Sequence, residues 1–103
     1  MDLSADMARV IREHARLIVL RALEGQPGET LNSGVLASHL EVFGIRKELA
    51  WLHQEMRWLA EMDAVRLSEA GPFLVASLTE RGAQHLSRVA LIEGVRPPPR
   101  AGG

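Results

Sequence analysis

Apolar residues recur at helical spacing through the middle of the chain, from Ile45 to Leu67 (IRKELAWLHQEMRWLAEMDAVRL). Leu49, Leu52, Met56 and Leu59 share one face, with His53 and Ala60 at its border, so the spacing predicts a helix from Arg46 to about Met62. Arg46, Lys47, Ala50, Gln54, Arg57 and Glu61 lie on the other side. Trp51 and Trp58 share a strip roughly opposite the apolar face, next to Glu55 and Met62. The pattern then changes period: Val65-Arg66-Leu67 alternates as a strand does. Val65 to Glu69 reads as one strand, Ala70-Gly71-Pro72 as a turn, and Phe73 to Leu78 as the returning strand. A helix that runs almost directly into a hairpin is the third helix and wing of a winged helix-turn-helix.

The other segments fit around this one. From Ala5 to about Glu24 the pattern is helical, with Ser4 as cap and Asp6 in the first turn. Met7, Val10, Ile11, Ala15, Leu17, Ile18 and Leu23 form a broad apolar stripe. At about 1.5 Å per residue this helix is roughly 30 Å long, more than a small three-helix core covers, so part of the stripe is expected to meet a partner. Arg9, Arg12 and Arg16 lie on a shared face, read as solvated. Gly25-Gln26-Pro27-Gly28 ends the helix, Thr30-Leu31 is a short extended piece, and Asn32 or Ser33 caps a second helix from Gly34 to about Val42. Leu36, Leu40 and Val42-Phe43 are expected to face inward, with Gly44 making the turn. Thr79 caps a last helix running to about Val89 or Leu91, with Leu86 and Val89 inward. The closing VRPPPRAGG is expected to be extended and mobile, which divides the chain into a domain at residues 1–93 and a tail at 94–103.

Composition narrows the class of function. The chain has 103 residues, 47% of them hydrophobic, and a formal charge of -1, so it builds one core and projects no global positive field toward nucleic acid or anionic lipid. It has no cysteine, which excludes disulfides, thiolate metal sites and cysteine nucleophiles. Charges run throughout the N-terminal segment, so no signal peptide is expected, and the apolar run Leu17 to Leu20 is far too short to span a bilayer. A cytoplasmic location fits these features. His14, His39, His53 and His85 are scattered, no serine sits in a glycine elbow, and no glycine-rich phosphate loop exists, so neither a metal, a cofactor, a small-molecule ligand nor catalysis is expected.

Three motifs carry a family resemblance. WLAEMDAVRL, Trp58 to Leu67, resembles the helix-to-wing segment of a family of small winged-helix proteins in Mu-like bacteriophages and prophages. SLTERG, Ser77 to Gly82, looks like the start of that family's C-terminal helix, and GVRPPPR, Gly94 to Arg100, is similar to its proline-rich basic tail. The resemblance covers roughly Asn32 to Arg100. It implies an arsenic-repressor-type (ArsR-like) fold, mainly α with a small β-hairpin, in the cytoplasm of a bacterial host, and a homodimer whose first and last helices pair. The chain departs from the family in having Asp63 where glycine usually follows the helix. It also lacks the cysteines of the metal-sensing members.

Two functions remain open. As a phage or prophage DNA-binding regulator, the chain would insert its third helix into the major groove of double-stranded DNA. Arg46, Lys47, Ala50, Gln54 and Arg57 would then face the bases, and Arg66 would stand at the base of the wing. Arginine can bridge guanine and glutamine can bridge adenine. Against this, Glu48, Glu55 and Glu61 balance the basic residues of the helix, and the wing tip holds Glu69 and no lysine or arginine. As a protein-interaction adaptor, the chain would instead use the Trp51 and Trp58 strip.

Overall fold

The structure is a computed structural model and describes residues 2–100. Its elements run α1 (Leu3–Glu24), a 3-10 turn (Pro27–Glu29), β1 (Thr30–Asn32), α2 (Ser33–Val42), α3 (Leu49–Glu61), β2 (Val65–Ala70), β3 (Phe73–Leu78) and α4 (Glu80–Leu86). The fold is mainly helical with one small antiparallel sheet in the order β1-β3-β2. The 41 × 30 × 25 Å envelope holds one core, centred on Leu20, Leu23, Leu36, Leu52, Met56 and Leu59.

Local chemistry sets most of the element ends. Asp2, not Ser4, caps α1: its carboxylate accepts the Ser4 and Ala5 N–H groups at 3.0 and 3.2 Å, and the helix therefore begins two residues earlier than the pattern predicts. Asn32 caps α2 through the Val35 N–H at 2.9 Å. Gly44 takes φ +80 in the turn after α2, a conformation that favours glycine. Asp63 takes φ +61 where the resembled family tends to carry glycine. There the Ala64 N–H closes back on the Leu59 carbonyl at 2.9 Å, satisfying an end of α3 with a non-glycine residue. Thr79 caps α4 through Gly82 N–H at 3.1 Å, and its own hydroxyl donates to the Asp63 carbonyl at 2.6 Å. One threonine thus ties the start of α4 to the end of α3.

Three expectations are corrected. Helix α3 begins at Leu49, so Arg46 and Lys47 lie in an extended approach and not on the helix. Their strong helical propensity yields to tertiary geometry: the Ile45 N–H is held by the Leu40 carbonyl at 3.0 Å and Glu48 is extended, which spaces α3 away from α2. Val42 and Phe43 are exposed, because α2 is already ending there. Helix α4 stops at Leu86, where Arg88 takes φ +63 and the Val89 N–H turns back to the Gln84 carbonyl, and Val89 is left exposed.

The C-terminal residues 94–100 are not a free tail. Ile92, Val95 and Pro98 are buried, and the Arg96 N–H donates to the Glu13 carbonyl at 3.2 Å. This strap runs against α1; residues 101–103 lie outside the described residues. Two side chains pin it from inside. The Arg16 Nη1 donates to the Gly94 carbonyl at 2.8 Å. The fully buried His85 accepts the Ile92 N–H at Nδ1 (2.9 Å) and donates from Nε2 to the Arg96 carbonyl (2.9 Å), which fixes one neutral tautomer.

Candidate nucleic-acid interface

Helix α3 buries Leu52, Glu55, Met56 and Leu59 and turns Ala50, Gln54, Arg57 and Glu61 to solvent, a stripe spaced by four, three and four residues. Arg46, Lys47 and Glu48 are exposed in the approach that leads into this helix. Of the residues proposed from sequence to read bases, Ala50, Gln54 and Arg57 therefore share one open helical face, while Arg46 and Lys47 flank it from the preceding loop. Arg66 is exposed near the start of β2, in register with Ser77. It lines a polar cleft with Asp63, Thr79, Glu80, Arg81 and Gln84, so it stands beside two carboxylates.

Glu55 does not lie where the helical wheel put it to use. It is buried and paired with Arg16 at 2.8 Å, the two side chains being 7% and 11% exposed. Arg16 in turn leaves the solvated face expected for Arg9, Arg12 and Arg16. Its guanidinium lies 3.7 Å from the centre of the Trp58 ring and also holds the Gly94 carbonyl. Burial makes this pairing obligatory, since either charge alone would be stranded in a low dielectric. The consequence for the open face is electrostatic. With Glu55 neutralised internally, Arg46, Lys47 and Arg57 face only Glu48 and Glu61 as local carboxylates.

The tryptophans separate. Trp58 is half-buried under Arg16, and its ring reaches so close to Gly94 that a Cβ there would sit 2.7 Å from it. Trp51 is half-buried at the edge of the core, with the Lys47 ammonium 5.4 Å from its ring centre. They do not form an open two-ring strip.

A polar junction not foreseen from sequence supports α3. Ser33 Oγ accepts the Leu74 N–H at 3.1 Å and lies 2.8 Å from His53 Nε2, joining α2, α3 and β3. Desolvation, and secondarily the Arg57 charge one turn along, holds His53 below the ordinary histidine value. The neutral ring can accept the Ser33 hydroxyl proton while Ser33 accepts from Leu74. No spacing in the sequence signals either this junction or the Arg16–Glu55 pair, because their members lie 20 to 41 residues apart.

These features define a small, mainly helical domain with a three-stranded antiparallel sheet and a partly basic exposed helix. Among the described residues no helix is long and apolar enough to cross a membrane. The chain is 32% identical over 93 residues to the uncharacterized protein gp26 of Escherichia phage Mu, a match covering 89% of this chain and 96% of that protein. It belongs to the family of this phage Mu protein, in keeping with the Mu-like phage resemblance read from the three motifs. No protein-family model and no solved structure matches the chain.

Proposed function

We propose that this is a winged-helix protein of ArsR-like architecture that binds double-stranded DNA as a phage or prophage transcriptional regulator in the host cytoplasm. In this reading α2 and α3 are the helix-turn-helix, β2 and β3 are the wing, and α3 enters the major groove. The observation that carries it is the open face Ala50–Gln54–Arg57, while Glu55, on another side of the helix, is buried and paired with Arg16. With the Glu55 charge met by Arg16, the exposed residues of the approach and helix, Arg46, Lys47 and Arg57 against Glu48 and Glu61, keep a small positive excess where phosphates would lie. The rigid joints around α3 add support, since base readout requires a helix held in one orientation.

The adaptor reading is less favoured because Trp58 is engaged with Arg16 and Gly94, which leaves Trp51 alone of the pair. The test is fluorescence anisotropy of a labelled duplex titrated at about 50 and 200 mM salt, since duplex binding releases counterions and weakens steeply over that range. Salt-sensitive binding that Arg57→Ala weakens, with an unchanged melting temperature, supports the reading. No binding at the lower salt overturns it.

A further inference from the structure

Two hollows of about 300 and 360 Å³ adjoin along α1 and share His14, Ile18 and Phe43. Together they make one groove that follows the helix from Val10 to Arg21, roughly 16 Å at the rise of an α-helix. Leu17 and Ile18 form its floor, Ile45 lies at one end, and Pro97 and Pro99 of the strap wall the other. Phe43 stands where the hollows meet and is 58% exposed. Its ring meets His39 edge-on, with centroids 5.3 Å apart, so it is braced against its own helix and still open to the groove. A phenyl ring held in that way is a ready anchor for a partner, because its burial on contact costs little further ordering.

Charge and backbone chemistry narrow what fits. Arg21 and Arg96 line the proline end, and no carboxylate lines either hollow. The ion pairs among the described residues are Arg9–Asp6 and Arg16–Glu55, so neither Arg21 nor Arg96 meets a carboxylate of its own chain. The groove therefore suits a ligand that is apolar on one face and acidic beside it. It also lacks free backbone donors. The Phe43 and Ile45 N–H groups are held by the Leu40 carbonyl, the Arg96 N–H by the Glu13 carbonyl, and the prolines have none. An extended peptide laid here would leave its own carbonyls unpaired, whereas a helix satisfies its backbone internally.

We propose that this groove binds an acidic amphipathic helix of a partner protein. The apolar face of that helix packs on Phe43, Ile18 and the strap prolines, and its carboxylates meet Arg21 and Arg96. A second copy seated groove to groove would set these cations against themselves, and duplex DNA would gain nothing from the apolar floor. The groove shares no residue with the open face of α3, and neither tryptophan lines it, so the inference stands apart from the DNA-binding reading.

The test is selection from a display library of random peptides of about twelve residues, long enough for a helix that spans the groove. The full chain is the bait, and peptides that also bind Phe43→Ser are discarded. Phe43 and Arg96 are exposed, so Phe43→Ser and Arg96→Glu should leave the circular dichroism melt unchanged. The recovered sequences are expected to combine Asp or Glu with apolar residues spaced by three and four. In fluorescence anisotropy such a peptide should bind Arg96→Glu roughly tenfold more weakly than the wild type, and its version with Lys in place of the carboxylates should prefer Arg96→Glu. No enrichment overturns the proposal, as do recovered peptides that are basic or uncharged. It is equally overturned if duplex DNA displaces the peptide, or if sedimentation equilibrium shows a dimer that Phe43→Ser converts to a monomer.

Discussion

A carboxylate and a guanidinium buried in a small core must find each other with good geometry, and Arg16 and Glu55 do so at 2.8 Å. The guanidinium also satisfies a backbone carbonyl and stacks on Trp58, so one side chain joins α1, α3 and the C-terminal strap. Breaking such a pair from one side is costly because the other charge is left uncompensated. Arg16→Met should lower unfolding free energy by about 3 kcal/mol in urea titrations, and the double variant with Glu55→Met should recover much of that loss. If the two single losses simply add in the double variant, the pair is not coupled. His53 offers a second test. Its folded value lies below its ordinary value of 6.5, so above that pH both folded and unfolded rings are neutral. As pH falls through 6.5 the unfolded chain takes up the proton first, and stability should decline until the folded value is passed. Urea midpoints measured between pH 7.5 and about 5 should fall for the wild type and fall less for His53→Gln. Equal slopes would remove His53 as the cause.

At the scale of elements, α3 shows how a helix face is edited by its neighbours. The heptad-like core stripe of Leu52, Met56 and Leu59 follows the sequence pattern, and these residues are buried as expected. The polar side does not follow it uniformly: Glu55 is drawn inward while Gln54 and Arg57 stay outside. If α3 contacts DNA, Arg57→Ala should weaken binding and reduce the salt slope by about 1 if it meets a phosphate, or cost about 1–3 kcal/mol and relax sequence preference if it meets a guanine. Glu48→Gln should strengthen binding slightly by removing a carboxylate from the approach. Anisotropy titrations against two unrelated duplexes separate these cases. The short α4 is set by a close approach rather than by propensity. A Cβ on Gly82 would fall 2.3 Å from the Ala64 carbonyl oxygen, so glycine is what lets α4 seat on the α3–β2 junction.

For the whole molecule, the strap closes the fold. It buries Val95 and Pro98, receives the Arg16 and His85 hydrogen bonds, and walls the groove along α1. Ending the chain after Glu93 should remove about 2–4 kcal/mol of burial and hydrogen bonding, which for a domain of this size lowers the melting temperature by roughly 10–20 °C. Trp58 emission should shift to longer wavelength as its ring loses Gly94. A truncated chain that melts like the full one would restore the picture of a dispensable tail.

The sequence by itself determined the order of helices and strands, the core positions Leu36 and Leu40 of α2 and Leu52, Met56 and Leu59 of α3, and the turns at Gly44 and Gly71. These depend on periodicity and on backbone preferences that act over a few residues. The three motifs also carried the phage family, which the similarity to the phage Mu protein supports. Only the tertiary structure decided that α3 starts at Leu49, that Arg16 abandons its solvated face for Glu55, that Trp58 is covered and that the strap is packed. Each of these depends on side chains brought together from distant parts of the chain, where the cost of burying a charge or an unpaired polar group outweighs local propensity.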